Sequence, residues 1–105
     1  MINFIKTENN FNKLLRKSMK TSEDATFLFI SSYDKVCMDI INEIENGDHG
    51  LDFEYLNVVD SFETPHAFVA CHTTQVPCLV SVRRRKKEID YYLPIIYRKL
   101  GVLDS

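Results

Sequence analysis

Three cysteines are the side chains of this sequence best suited to covalent chemistry. Cys37, Cys71 and Cys78 form no C-x-x-C pair and no cluster with the spacing of zinc ligands. An odd number of cysteines does not suit a disulfide framework, so we expect a reducing, cytoplasmic setting. A buried thiol usually packs as a small apolar group, whereas an accessible, ionised thiol can act as a nucleophile. Pairing of any two of the three stays open because disulfides depend on geometry.

The most concentrated charge is a run of five basic residues, Arg83-Arg84-Arg85-Lys86-Lys87. Like charges this close repel one another unless solvent or a partner neutralises them. A solvated hairpin turn is one interpretation, and an anion-binding loop is the other. No aromatic residue interrupts the run to stack on bases, so an acidic protein partner ranks above nucleic acid.

Histidines and carboxylates indicate no further site. His49, His66 and His72 are dispersed, without the H-x-x-x-H or paired-cysteine spacing of a metal centre. The acidic residues form no recognisable catalytic pair, and the sequence has neither a phosphate-binding glycine loop nor a G-x-S-x-G motif. We therefore expect no metal ion and no cofactor.

Length and composition predict one globular domain over residues 1–105. Hydrophobic residues make up 45% of the chain, which is enough for a core. Thirteen basic and fifteen acidic residues give a net charge of -2, so the overall field attracts neither nucleic acid nor an acidic membrane. No apolar stretch approaches the length of a signal-peptide core or a membrane span, so we expect a soluble protein without a membrane partner. The sequence does not indicate the oligomeric state.

Apolar periodicity and turn residues predict nine elements in the order β-α-β-α-β-α-β-β-α. This order places helices on both faces of a mixed β-sheet. In the first half we expect a strand at 2–5, a helix at 8–20, a strand at 26–30, and a helix through Cys37, Ile40, Ile41 and Ile44 that stops near Gly47. In the second half we expect a strand at 51–58 and a short helix that is capped by Thr64 and runs from Pro65 to Cys71. Strands at 78–82 and 88–92 follow around the basic run, and a closing helix has Pro94 in its first turn and ends near Gly101.

Two segments within this order resemble the thioredoxin family. The apolar run FLFI leads through SSYDKVC to residue 37, and VPCLV follows at 76–80. Thioredoxins have a central strand that ends in an aromatic residue and then C-x-x-C at the head of a helix, with a cis proline beside it. The resemblance covers nearly the whole chain and implies an α/β thioredoxin-like fold. It places Tyr33 at the aromatic position, Asp34 at the first cysteine, Cys37 at the second cysteine and Pro77 at the cis proline.

Asp34 stands where the family has its nucleophilic cysteine, and only the resolving cysteine is kept. An aspartate at this position is a good helix N-cap, and its charge opposes ionisation of the Cys37 thiol. The resemblance also implies that the backbone at Val76 can pair with an extended substrate segment.

Two functions therefore remain open. The leading hypothesis is a redox-degenerate binding protein that contacts a protein partner through the former active-site rim, defined as Tyr33, Asp34, Lys35, Val76 and Pro77. The alternative is a single-thiol disulfide oxidoreductase that uses Cys37, with one of the other two cysteines as the resolving thiol. Whether the protein is an enzyme thus depends on the accessibility and ionisation of Cys37.

Overall fold

The computed structural model describes residues 2–21, 23–46 and 56–101, and its elements follow the expected order. The strands and helices are β1 Ile2–Ile5, α1 Glu8–Lys20, β2 Ala25–Ile30, α2 Lys35–Asn46, β3 Leu56–Asp60, α3 Pro65–Ala70, β4 Cys78–Arg83, β5 Lys86–Asp90 and α4 Leu93–Leu100. No helix within the described ranges has the length and apolar character needed to cross a bilayer.

The five strands form one mixed sheet in the order β1-β3-β2-β4-β5. The strands β1, β3 and β2 run parallel, whereas β4 pairs antiparallel with both β2 and β5. Helices α1 and α2 supply the crossovers that parallel strands require. The mixed α/β fold class expected from the sequence is confirmed.

Alternation along the strands divides the core between the two faces of the sheet. Leu28 and Ile30 of β2 belong to the cluster that α2 and α4 cover. Phe27 and Phe29 point to the other face, where they meet Phe11 of α1 in edge-to-face ring pairs at 5.3 and 5.9 Å. The nearly continuous apolar run of β2 is therefore buried on both sides.

Local signals predicted two helix ends well. Helix α1 has the expected bounds, and the Thr7 hydroxyl accepts a hydrogen bond from the Asn10 N–H at 3.1 Å. Gly101 ends α4 with a left-handed φ of 71°, a conformation that glycine adopts without a β-carbon clash. Thr64 occupies the expected N-cap position of α3, with Pro65 in the first turn, but it makes no side-chain capping bond, and its hydroxyl donates to the Asp60 carbonyl instead.

The hairpin around the basic run is tighter than expected. Strand β4 continues to Arg83 and β5 begins at Lys86, so the connection contains only two residues rather than the whole run. Pairing of Arg83 with Lys86 extends the ladder into the charged segment, and β5 ends at Asp90 instead of residue 92. Strand β3 likewise runs on to Asp60, whereas residues 51–55 and Gly47 lie outside the described residues.

Candidate functional site

Asp34 caps helix α2 at the end of the loop that follows β2. The Cys37 N–H donates to its Oδ1 at 2.9 Å, and the Met38 N–H donates to its carbonyl at 3.1 Å. The hydrogen bond from the Cys37 backbone holds the pKa of the Asp34 carboxyl below its ordinary value. Asp34 is therefore ionised at neutral pH and satisfies backbone donors that a helix N-terminus leaves free.

Cys37 lies in the first turn of α2 and is completely buried, with 0% of its surface exposed. It packs in the core cluster with Ile40 and Ile41 of the same helix. Burial raises the pKa of its thiol to about 11; a hydrogen bond from the Ser31 backbone opposes this shift, and the Asp34 carboxylate adds to it. The thiol is therefore protonated at neutral pH, the form that neither attacks a disulfide nor binds a metal.

The other two cysteines lie on the opposite face of the sheet. Cys71 at the end of α3 and Cys78 at the start of β4 belong to the cluster around Phe27 and Phe29, whereas Cys37 belongs to the cluster beneath α2. All three are free thiols, and burial raises the pKa of Cys71 and brings that of Cys78 to about 11. The three thiols are therefore divided between the two core clusters rather than gathered at one site.

Two exposed aromatic rings meet beside the loop that carries Asp34. Tyr33 is 83% exposed and Phe62 is 70% exposed, and their ring centroids lie 6.0 Å apart in an edge-to-face arrangement. Asp60 ties their loops together, because its Oδ1 accepts hydrogen bonds from the Ser32 N–H at 3.3 Å and the Phe62 N–H at 3.1 Å. The two loops that carry the rings are therefore joined by hydrogen bonds to the Asp60 carboxylate.

Sequence reasoning missed Phe62 and Asp60. A signal was available, because a phenylalanine stands alone in the polar segment DSFET, which begins two residues after the strand predicted at 51–58. The carboxyl ends of parallel strands meet at one edge of a sheet, so this segment approaches the loop after β2 once β3 pairs with β2. The sequence alone did not show that β3 pairs with β2.

The rim residues gather at this same edge of the sheet. Strand β4 begins at Cys78 opposite Phe29, which brings the preceding Val76-Pro77 segment to the end of β2. The Val76–Pro77 peptide bond is cis, and Val76 packs against the cluster beneath α2. Lys35 is exposed and forms an ion pair with Asp39 at 3.0 Å.

The basic run lies at the opposite end of the strands, where β2 begins. Val82 pairs with Ala25, the first residue of β2, so the tip of the β4–β5 hairpin is at the start of β2 rather than at its end. Arg83 there forms an ion pair with Asp24 at 3.9 Å. The rim and the basic run are therefore two separate surfaces.

No protein-family model and no curated protein matches this chain. Solved structures do match, among them thioredoxin O2 of Arabidopsis thaliana with a TM-score of 0.70 and 21% identity over 95% of this chain and 94% of that one. The chain has the thioredoxin fold. A thioredoxin of Trypanosoma brucei brucei gives a TM-score of 0.70 at 15% identity, covering 95% of this chain and 88% of that one. For the thioredoxin preprotein of Schistosoma mansoni the TM-score is 0.69 at 12% identity, with 94% and 97% coverage.

Proposed function

We propose that this protein binds a protein partner through the rim, extended by Phe62, and that it does not exchange disulfides. The observation that carries the proposal is the exposed Tyr33–Phe62 pair beside helix α2, whose thiol, Cys37, is buried. Disulfide exchange needs an accessible thiolate, and both burial and the Asp34 carboxylate disfavour that form of Cys37.

The aromatic pair has the properties of an interface anchor. Tyrosine is among the residues that dominate binding energy in interfaces, because it offers a large area with few rotatable bonds. The hydrogen bonds from Ser32 and Phe62 to Asp60 hold both loops before a partner arrives. Less ordering entropy is then lost on binding, which favours affinity.

Charge around the rings favours a partner segment that carries lysine or arginine. Asp34, Asp60 and Glu63 flank the two rings in the sequence, whereas Lys35 is already paired with Asp39. A cation held over an exposed ring gains roughly 0.5–1 kcal/mol, and the carboxylates would add long-range attraction. We expect an apolar segment with a basic side chain next to it.

Selection from a library of displayed extended peptides tests this function, because it requires no candidate partner. Peptides selected on the wild-type protein should bind the Tyr33→Ser/Phe62→Ser variant at least about tenfold more weakly, since two anchors are lost. Val69→Ser is the matched control, because Val69 is 73% exposed but belongs to α3 and not to the rim. Equal binding to wild type and to the double variant would reject the rim as the docking surface.

An assay of disulfide reduction separates the binding function from the enzymatic alternative. The wild-type protein and Cys37→Ala should show the same background rate with a disulfide-bonded protein substrate and a thiol reductant. A rate above background that Cys37→Ala abolishes would establish the oxidoreductase instead.

A further inference from the structure

The tip of the β4–β5 hairpin places two arginines in a backbone conformation that arginine disfavours. Arg84 and Arg85 form the whole connection, and their φ angles are 52° and 66°. Positive φ at both central residues is the geometry of a type I′ turn, for which Asn-Gly is preferred because a β-carbon crowds the backbone there. The sequence therefore does not use the residues that would stabilise this turn most.

Cross-strand pairing adds a second unfavourable feature. Arg83 lies directly opposite Lys86, and like charges in that position destabilise a β-ladder. At the base of the turn, Arg83 forms an ion pair with Asp24 at 3.9 Å, with both side chains largely exposed. An exposed pair of this kind contributes little. Among the residues that the structure describes, the charges of the tip are thus left for solvent or for a ligand.

We propose that this basic hairpin, residues 83–87, binds an acidic segment of a partner protein. Conflict between local sequence and local structure is expected where function, rather than stability, selects the residues. Arginine guanidinium groups bind carboxylates through two parallel hydrogen bonds, so Arg84 and Arg85 at the tip can each hold one acidic side chain.

Flanking carboxylates favour a short acidic segment over nucleic acid. Glu23 and Asp24 precede β2 beside the hairpin, and Glu88 follows two residues after Lys86. The hairpin extends only one residue pair and the turn beyond the start of β2, so a phosphate backbone continuing past it would meet these carboxylates. The described hairpin also has no aromatic side chain on which a base could stack.

The test combines stability and binding in one variant. Arg84→Asn/Arg85→Gly keeps the length of the turn and supplies its preferred residues, so its urea midpoint should rise above that of the wild type. Binding of a fluorescent tetrapeptide of alternating Glu and Asp should weaken by at least about tenfold, because two charge-assisted contacts are lost. Wild-type binding should fall with added salt.

Lys13→Gln/Arg16→Gln is the matched control, since it removes two exposed charges from α1 and leaves the hairpin intact. This control should bind the tetrapeptide within about twofold of the wild type, because both arginines of the turn are unchanged. Unchanged peptide binding by the hairpin variant, or a urea midpoint that does not rise, would overturn the proposal.

Tighter binding of an RNA duplex than of the peptide at equal salt would assign the tip to nucleic acid. Self-association in low salt that the hairpin variant abolishes would assign it to a second copy of the chain. Peptide selection at the rim is independent of all these outcomes, because the two surfaces lie at opposite ends of the strands.

Discussion

Cys37 should react with alkylating reagents far more slowly at neutral pH than an ordinary thiol. The experiment is iodoacetamide labelling of the folded wild-type protein at a series of pH values. Peptide mapping and mass spectrometry measure the extent of labelling at each cysteine. Mapping is necessary because Cys71 and Cys78 are also buried free thiols. The rate at Cys37 then reports its ionisation and its access to reagent.

The expected slowing of the labelling reaction follows from the pKa of the Cys37 thiol. A value of about 11 in place of the ordinary 9.0 leaves about one thiolate in 10,000 at pH 7 rather than about one in 100. The more basic thiolate is a better nucleophile by roughly eightfold for a Brønsted slope near 0.45, so ionisation alone slows the reaction by about tenfold. Complete burial adds the free energy of local opening, which slows labelling further.

Asp34→Asn isolates the electrostatic part of this effect. An asparagine keeps a side-chain oxygen for the Cys37 N–H but removes the negative charge, so the pKa of Cys37 should fall while burial still holds it above the ordinary value. Labelling at pH 8 should accelerate. Asp39→Asn is the control, since that carboxylate pairs with Lys35 and does not contribute to the Cys37 shift. Labelling of wild-type Cys37 at neutral pH as fast as an exposed thiol would refute the reasoning.

Three further changes test other parts of the structure. Phe11→Ala should lower the free energy of unfolding in urea by about 3–5 kcal/mol, because the ring is fully buried between α1 and the sheet; a loss below 1 kcal/mol would contradict its role as an anchor. Burial lowers the pKa of Lys99, but its hydrogen bonds to Asp90, at 2.7 Å, and to Glu88 of β5 have the larger effect, so the pKa is raised. Lys99→Met should therefore cost about 1–2 kcal/mol at neutral pH, and the difference from wild type should shrink as alkaline pH passes the raised pKa; a constant difference across the series would exclude the ion pairs as its source. Asp34→Cys restores a C-x-x-C pair with Cys37, so the introduced thiol at the helix N-terminus should titrate below the ordinary value in a pH series of labelling, and an unreactive thiol would show that the loop no longer suits redox chemistry.

Local rules determined most of the fold. The order of the nine elements, the bounds of α1 and the glycine that ends α4 follow from apolar periodicity, capping and left-handed turns, and these depend on residues near one another in the chain. Asp34 as a helix cap was predictable for the same reason. The resemblance carried by YDKVC and VPCLV then implied the thioredoxin fold, which the structure confirms.

Only tertiary structure decided which side chains meet. Tyr33 and Phe62 form a pair because β3 lies beside β2, and the sheet separates Cys37 from the other cysteines because strand alternation sends Cys78 to the opposite face. The basic run likewise had no fixed shape in sequence, since only the antiparallel register confines the connection to Arg84 and Arg85. Contacts of this kind depend on strand order and register, which long-range packing fixes and which short sequence patterns do not encode.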